Sequence, residues 1–180
     1  MKNITERELL KIARNIKFLI LDVDGVLTDG CIILDNEGNE FKSFHVRDGH
    51  GIKMLMRAGI KVALITGRYS KVVDRRAHEL GITEVFQKCR DKRIAYSQLA
   101  EKYSLNDNEI AYIGDDIIDI PLLKRSGFPV VVADADDEVK AVAKMITKKV
   151  GGRGAVREVC DFLLKAKGLW QDIINGYSKT

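Results

Sequence analysis

The sequence predicts an α/β fold in which a doubly wound parallel sheet lies between layers of helices. Six apolar runs have the length of strands, and they occupy residues 17–23, 60–66, 83–87, 109–114, 128–133 and 144–147. Stretches with helical periodicity alternate with them, at 49–58, 70–80, 91–103, 117–126, 134–143 and 154–167. Strands that alternate with helices of this length form right-handed βαβ units, and successive units build a doubly wound sheet.

Composition and charge are those of one soluble domain. The 180 residues are 46% apolar and 31% charged and include only two prolines, which suits a single well-formed core. No apolar run approaches the roughly 20 residues of a membrane-spanning helix. A net charge of +4 is too small to indicate a nucleic-acid partner. We therefore expect one domain over residues 1–180 that binds neither membranes nor nucleic acids.

The cysteines favour a reducing compartment. Cys31, Cys89 and Cys160 are odd in number, distant from one another and outside any CxxC motif. This spacing argues against a disulfide framework or a zinc site and favours the cytoplasm. The first seventeen residues are charged throughout, unlike a secretory signal, and they place Leu9 and Ile12 on one face of an amphipathic helix.

The first strand, residues 17–23, is predicted to lie at the centre of the sheet because its apolar run is uninterrupted. No helix follows it. Residues 31–46, CIILDNEGNEFKSFHV, instead have the pattern of two strands around a turn at 35–39. We expect this β-hairpin to project from the carboxyl end of the first strand.

The remaining elements follow as strand–helix pairs. Asp91 precedes one helix as a capping residue, and Asp134, with Asp137 three residues later, precedes another. The apolar run at 144–147 is short enough to be an edge strand. Beyond it and the last helix the pattern weakens, so residues 169–180 are predicted to form a loosely ordered tail.

Polar side chains gather where the predicted strands end. They are Asp22 and Asp24 after the first strand, Thr66, Gly67 and Arg68 after the second, Asp91 and Lys92 at a helix start, and Asp115, Asp116 and Asp119 after the strand at 109–114. Ligands of open α/β sheets bind at the carboxyl ends of the strands, so we expect a single site there. Clustered carboxylates need a cation, and all-oxygen ligands suit a hard ion such as Mg²⁺ that joins carboxylates to a phosphate.

Two carboxylates one residue apart suit the hydrolysis of a phosphate ester. One can attack phosphorus and form an aspartyl-phosphate. The other can donate a proton to the leaving alkoxide and then accept one from the attacking water. Residues two positions apart in an extended chain point to the same side, and Gly25 permits the turn that brings Asp22 and Asp24 to the phosphate. Thr66, Lys92 and the metal would neutralise charge on the phosphoryl oxygens.

Four motifs resemble those of the haloacid dehalogenase superfamily of phosphatases. They are DVDGVLTDG (22–30), ITGR (65–68), a lysine that opens a helix (Lys92) and GDDIID (114–119), in the order and spacing of the superfamily. The resemblance implies a Rossmann-like core with Asp22 as nucleophile and Asp24 as acid and base. It also implies Mg²⁺ held by Asp22, the backbone carbonyl of Asp24 and Asp115, with Asp119 orienting Lys92 or a metal-bound water.

A narrower resemblance covers nearly the whole chain. FHVRDGHGIK (44–53), ITGRYSKVVDRRAHELGI (65–82) and GGRGAVREVCD (151–161) resemble the 3-deoxy-D-manno-octulosonate 8-phosphate (KDO 8-phosphate) phosphatases, which supply the free sugar acid KDO for lipopolysaccharide. The resemblance implies the substrate contacts Asp24, His45, Val46, Arg47, Asp48, Gly49, Lys53, Arg68, Arg76 and Lys92. The cations in this set suit a sugar acid that carries both a carboxylate and a phosphate.

Several alternatives are open from the residues alone. A phosphatase for a nine-carbon sugar acid phosphate, such as sialic acid or KDN 9-phosphate, would use the same cations. A phospho-acceptor receiver domain shares the sheet, the acidic pocket, a threonine and a lysine, but it has no counterpart of the hairpin. A degenerate superfamily member would serve only as a binding module. Arg153 and Arg157 are either surface charges or contributors to the site.

The hairpin also predicts an assembly. Superfamily phosphatases often carry a cap domain, but here the predicted strands and helices already fill the gaps between the motifs, which leaves no cap. Exposed hairpin strands would be an aggregation hazard unless they pair with other subunits. The family resemblance likewise implies cap-less tetramers with sites at subunit interfaces. We therefore expect a cytoplasmic homotetramer in which the hairpins complete the active sites.

Overall fold

The computed structural model describes residues 4–178, and its backbone has the predicted α/β architecture. Its strands are β1 (Phe18–Leu21), β2 (Ile33–Leu34), β3 (Glu40–Phe41), β4 (Lys61–Ile65), β5 (Glu84–Phe86), β6 (Ile110–Gly114), β7 (Phe128–Val131) and β8 (Met145–Ile146). Six of them form one parallel sheet in the order β5-β4-β1-β6-β7-β8, and β2 pairs with β3 as a separate antiparallel hairpin. All six sheet strands lie within the apolar runs that predicted them.

The helices alternate with the sheet strands. They are α1 (Glu6–Asn15), α2 (Val46–Arg57), α3 (Lys71–Leu80), α4 (Lys92–Lys102), α5 (Ile120–Arg125), α6 (Asp137–Lys140), α7 (Ala155–Ala166) and α8 (Trp170–Tyr177). Helix α2 packs against α7 and α3, and α1 packs against α7, while α4 contacts α5. The strand order reverses direction between β5 and β6, and parallel crossovers are right-handed as a rule, so α2 and the α4–α5 pair are expected on opposite faces of the sheet.

Strand β1 lies at the centre, as its uninterrupted apolar run predicts. Every residue from Phe18 to Leu21 is buried, and β1 pairs in parallel with β4 on one side and β6 on the other. The register sets Leu21 beside Leu64 and Ile113. As a result, the residues that follow these three strands meet at one edge of the sheet.

The hairpin is shorter than the predicted span of residues 31–46. Only two residues of each strand pair, and Val46 begins helix α2 instead of ending a strand. A two-stranded ribbon without a third strand has little to stabilise it. The chain turns into α2 early because the Asp48 carboxylate, in the first turn, accepts hydrogen bonds from the backbone nitrogens of Gly154 and Arg157, at 3.2 and 2.7 Å.

Two further segments differ from their predictions. The helix predicted at 134–143 shrinks to α6, since the Asp134 carboxylate bonds to the Gly151 backbone nitrogen at 2.9 Å rather than capping a helix. The segment predicted as a loosely ordered tail contains α8, which begins at Trp170. Leu169 and Ile173 give this helix an apolar face that packs against the core.

Candidate active site

The acidic rim lies where β1 and β6 end. Asp22 and Asp115 follow these neighbouring strands, and Asp119 lies in the short 3₁₀ turn Ile117–Asp119 that comes next. Each of the three offers a carboxylate oxygen, and these oxygens lie within 4.8 Å of one another. The structure therefore brings three of the predicted carboxylates into one cluster.

Lys92 is the cation inside this cluster. It is the first residue of α4, which Asp91 caps by accepting a hydrogen bond from the Arg93 backbone nitrogen at 3.0 Å. Its ammonium lies 2.8 Å from Asp22 Oδ2 and 2.7 Å from Asp119 Oδ1. Burial opposes the charge on this ammonium, but the two carboxylates outweigh burial and raise the pKa of Lys92. A charged lysine is thus held against the predicted nucleophile.

Both carboxylate oxygens of Asp119 accept hydrogen bonds. Its Oδ1 accepts hydrogen bonds from Lys92 and from the Tyr112 hydroxyl at 2.6 Å, and its Oδ2 accepts one from the Asp115 backbone nitrogen at 3.1 Å. The side chain is completely buried. Gly114 makes room for it, because a Cβ there would lie 2.6 Å from the Asp119 side chain. The geometry places Asp119 against Lys92, one of the two groups that the sequence predicted Asp119 to orient.

Asp115 differs from its neighbours because one of its oxygens lacks a partner. Among the described residues, Oδ1 is buried and accepts no hydrogen bond. Gly25, at φ +84°, approaches the same side chain so closely that a Cβ would lie 1.9 Å from Asp115 Oδ2. A buried carboxylate oxygen without a donor is costly unless a cation compensates it. The donor set therefore fits a divalent cation with oxygen ligands.

Two carboxyl groups of the cluster have strongly raised pKa values. Burial, helped by the Asp119 charge and opposed by Lys92, raises the pKa of Asp22 to about 7. Burial, together with the charges of Asp22 and Asp119, raises the pKa of Asp115 to about 8. One lysine thus compensates too little of the negative charge on this rim.

Asp24 faces the hairpin instead of the cluster. Its Oδ1 forms an ion pair with Lys42, a residue that no motif identified. Lys42 also lies 3.5 Å from Glu40, and Glu40 accepts a hydrogen bond from Arg68 at 2.9 Å. These contacts join two predicted site residues, Asp24 and Arg68, through the base of the hairpin.

Thr66 is buried and follows β4, whose Leu64 pairs with Leu21 of β1. Its hydroxyl accepts a hydrogen bond from the Arg68 backbone nitrogen at 3.4 Å. The loop that contains it is fixed by the Thr66 backbone, which bonds to Phe86 and Cys89. Thr66 is therefore placed at the same edge of the sheet as Asp22, as predicted.

The predicted substrate contacts at the start of α2 have different environments. Val46 and Arg47 are exposed, and His45 is half-buried with a buried Nδ1 that has no hydrogen-bond partner in the described part of the chain. Asp48 is buried and caps α7, and burial raises its pKa despite two backbone hydrogen bonds. Gly49 lies beneath Arg76, because a Cβ there would come within 2.3 Å of its guanidinium. Asp48 and Gly49 thus also fix the packing of this segment against α7 and α3.

The other predicted cations are separate from the acidic cluster. Arg76 lies over the Phe44 ring at 5.7 Å and 3.3 Å from Glu79. Lys53 is half-buried and has no ion pair within residues 4–178. Arg153 pairs with Asp29 at 3.5 Å, and Arg157 bonds to Asp161 at 2.6 Å. The last two are the arginines whose place was open from the sequence.

Comparison with known proteins identifies the family. The haloacid dehalogenase-like hydrolase family matches residues 78–159. The 3-deoxy-D-manno-octulosonate 8-phosphate phosphatase of Escherichia coli (strain K12) is 51% identical over 156 residues, which are 87% of this chain and 83% of that protein. The chain belongs to this phosphatase family. The Yersinia pestis member is 47% identical over 160 residues, 89% of this chain and 86% of that one.

Solved structures of the family have the same fold. The Moraxella catarrhalis phosphatase, in complex with a magnesium ion, a phosphate ion and a KDO molecule, matches with a TM-score of 0.94 and 43% identity over 96% of this chain and 99% of that chain. A cobalt-bound form from Haemophilus influenzae matches with a TM-score of 0.88 and 43% identity over 92% and 98%. Membership confirms the resemblance seen in the motifs and makes the chain a phosphoric monoester hydrolase rather than a receiver domain.

Within residues 4–178, no helix is both long enough and apolar enough to span a bilayer. The longest helices, α2 and α7, have twelve residues each.

Proposed function

We propose that this chain hydrolyses KDO 8-phosphate to KDO and phosphate through an aspartyl-phosphate on Asp22. The observation that carries the proposal is the rim itself. A buried lysine holds the Asp22 carboxylate at 2.8 Å, beside an Asp115 oxygen that needs a cation. Membership of the KDO 8-phosphate phosphatase family, at 51% identity to the Escherichia coli member, supports the choice of substrate.

The metal we propose is Mg²⁺, held by Asp22, Asp115 and the backbone carbonyl of Asp24. The unpartnered Asp115 oxygen and the raised pKa values of Asp22 and Asp115 support this choice, as does the magnesium ion of the Moraxella catarrhalis structure. When bound, the ion neutralises negative charge on the phosphoryl group and on the carboxylates around it.

The residues of this chain then carry two steps. First, an Asp22 oxygen attacks phosphorus, the bond between phosphorus and the sugar oxygen breaks, and that oxygen keeps the electron pair and takes a proton from Asp24. Second, water attacks the aspartyl-phosphate while Asp24 accepts one of its protons, which releases phosphate and restores Asp22. Lys92 and Thr66 offer positive charge and a hydroxyl to the phosphoryl oxygens, and Asp119 keeps Lys92 in place.

The proposed substrate contacts remain Asp24, His45, Val46, Arg47, Asp48, Gly49, Lys53, Arg68, Arg76 and Lys92. The buried position of Asp48 supports an indirect part for it, since its carboxylate ties α2 to α7. Arg47 is an exposed residue and Lys53 a half-buried one, and their positive charges support recognition of the substrate carboxylate.

We further propose a cytoplasmic homotetramer in which hairpins join and neighbouring subunits complete the sites. Four large apolar side chains of the hairpin support this assembly, because each is about half exposed in the single chain: Ile32, Ile33, Leu34 and Phe41. Exposed apolar strands of this kind pair with other chains. Cys31, Cys89 and Cys160 are all free thiols, which supports a reducing compartment.

A turnover panel tests the proposed substrate. We expect KDO 8-phosphate to exceed glucose 6-phosphate in kcat/KM by about 5- to 150-fold, which is about 1 to 3 kcal/mol and the contribution of one charged hydrogen bond. Equal efficiency on the two sugars would indicate a broad scavenging phosphatase. The nine-carbon alternative is decided in the same panel, because KDN 9-phosphate would then be the preferred substrate.

A further inference from the structure

Lys42 is a hairpin lysine whose ammonium is buried beside the acidic rim. Its side chain is 1% exposed, although it lies on the short connection between β3 and α2. The ammonium pairs with Asp24 Oδ1 and lies 3.5 Å from Glu40 Oε1. A buried ammonium is costly unless carboxylates compensate it, so Lys42 depends on both of these partners.

The contact continues to the loop after β4. Arg68 donates a hydrogen bond to Glu40 at 2.9 Å. Four groups of alternating charge, Asp24, Lys42, Glu40 and Arg68, thus connect three separate segments of the chain. These contacts attach the base of the hairpin to the acidic site of the same chain, and they do not involve the tip of the hairpin.

We propose that Lys42 is a positioning residue for Asp24 and selects the Asp24 oxygen that transfers the proton. Lys42 donates to Oδ1, whereas no donor within residues 4–178 bonds to Oδ2. Since the Lys42 ammonium is bound to Oδ1, Oδ2 is the Asp24 oxygen left to exchange a proton with the substrate. When the bond from phosphorus to the sugar oxygen breaks, that oxygen keeps the electron pair and takes the Oδ2 proton, and Asp24 remains as a carboxylate paired with Lys42.

The inference rests on the proposed function, because it assigns Asp24 as the proton donor. A positioning role of Lys42 predicts a kinetic effect that a purely structural role of the buried side chain does not predict. Asp24 moves a proton in both steps, so the first step is followed by itself. Loss of a positioning residue slows that step only where the leaving group needs the Asp24 proton, whereas a structural defect slows it for every substrate. The leaving group distinguishes the two, since a sugar oxygen needs a proton as it leaves and nitrophenolate does not.

The test is the Lys42→Met variant, which removes the ammonium and keeps the side-chain length. In single turnovers with excess enzyme, the release of KDO from KDO 8-phosphate and of nitrophenolate from p-nitrophenyl phosphate is measured, so that only the first step is followed. We expect a loss of about 30-fold or more on the sugar phosphate, which is part of the roughly 100- to 10,000-fold that general acid catalysis contributes, and of less than about threefold on the aryl phosphate. Equal losses on the two substrates, or no loss on the sugar phosphate, would overturn the proposal.

Lys11→Met is the matched control, because it changes an exposed lysine of α1 and should leave both rates unchanged. Glu40→Gln is the second variant and applies if Lys42→Met does not fold. It removes one of the two anions that hold Lys42 and should shift the ratio of the two rates at least about threefold in the same direction. An unchanged ratio would contradict the positioning role.

The wild-type protein is measured first, so that the two proposals fail separately. Turnover of p-nitrophenyl phosphate without turnover of KDO 8-phosphate would contradict the proposed substrate alone. The leaving-group comparison then uses the sugar phosphate that the wild-type protein accepts, and its outcome still decides the role of Lys42.

Discussion

Replacing Asp115 by asparagine should stabilise the metal-free protein while removing its response to Mg²⁺. Asparagine keeps the shape of the side chain and removes a negative charge that Lys92 compensates only in part. Burial and the charges of Asp22 and Asp119 raise the pKa of Asp115 from 3.8 to about 8. The folded protein therefore binds this proton more tightly than the unfolded chain does.

The sign of the pH dependence follows from this difference. An acid with a raised pKa in the folded state contributes stability that is fully present below pH 4 and is lost as the pH rises towards 8. At about 1.4 kcal/mol per pH unit, the loss by pH 8 is on the order of 5 kcal/mol, less where water reaches the carboxylate. We take the loss in the free energy of unfolding at pH 8 to be about 2 to 3 kcal/mol. This corresponds to a decrease of roughly 5 to 10 °C in Tm for a chain of this size.

Thermal unfolding monitored by circular dichroism measures the effect. In excess chelator, the Tm of the wild-type protein should fall between pH 5 and pH 8, and Mg²⁺ should restore it at pH 8. Asp115→Asn should have the higher Tm at pH 8 in chelator, a weaker pH dependence, and no increase on addition of Mg²⁺. Asp137→Asn is the control, since its side chain is 99% exposed and its Tm should stay close to the wild-type value.

A lower Tm for Asp115→Asn in chelator at pH 8 would refute the electrostatic reasoning. It would mean that the Asp115 carboxylate is stabilised by protein groups and does not need a cation. An undiminished Mg²⁺ response in this variant would refute its assignment as a metal ligand.

Three other expectations concern activity and assembly. Asp22→Asn should abolish turnover with an unchanged Tm in Mg²⁺-free buffer or a higher one, because the attacking oxygen is lost; a tenth of wild-type turnover would exclude the aspartyl-phosphate. Chelation should abolish activity and Mg²⁺ should restore it, with Ca²⁺ a poor substitute because it favours looser, higher coordination; full turnover in chelator would contradict a metal requirement. Co-expression of Asp22→Asn with a variant disrupted at residues 35–39 and in the hairpin strands should recover part of the activity if a neighbour completes each site. A fully active monomer by light scattering would exclude that assembly.

Much of the site was predictable because it depends on local chain geometry. A parallel strand ends where its apolar run ends, and parallel neighbours end at the same edge, so Asp22, Thr66 and Asp115 had to lie near one another. Lys92 was predictable from its place at a helix start that Asp91 caps. These inferences needed no knowledge of side-chain contacts.

The structure corrected predictions where a distant contact competed with the local pattern. Strand-like residues at the end of the hairpin became the first turn of α2 because Asp48 bonds to the start of α7, more than a hundred positions later. Asp134 accepts a hydrogen bond from the Gly151 backbone nitrogen instead of capping a helix. In each case the aspartate accepts a hydrogen bond from a backbone nitrogen that would otherwise lack an acceptor. The local sequence pattern around the aspartate cannot predict a donor that lies so far away in the chain.

By itself, the sequence determined the sheet, its central strand, and the acids and lysine that follow the strands, because periodicity and strand ends are local properties. Only the tertiary structure decided how those charges are compensated. It placed Tyr112 and Lys92 on Asp119, left one Asp115 oxygen without a donor, and buried Lys42 against Asp24. The compensation of a buried charge depends on which groups surround it after folding, and those groups come from segments far apart in the chain.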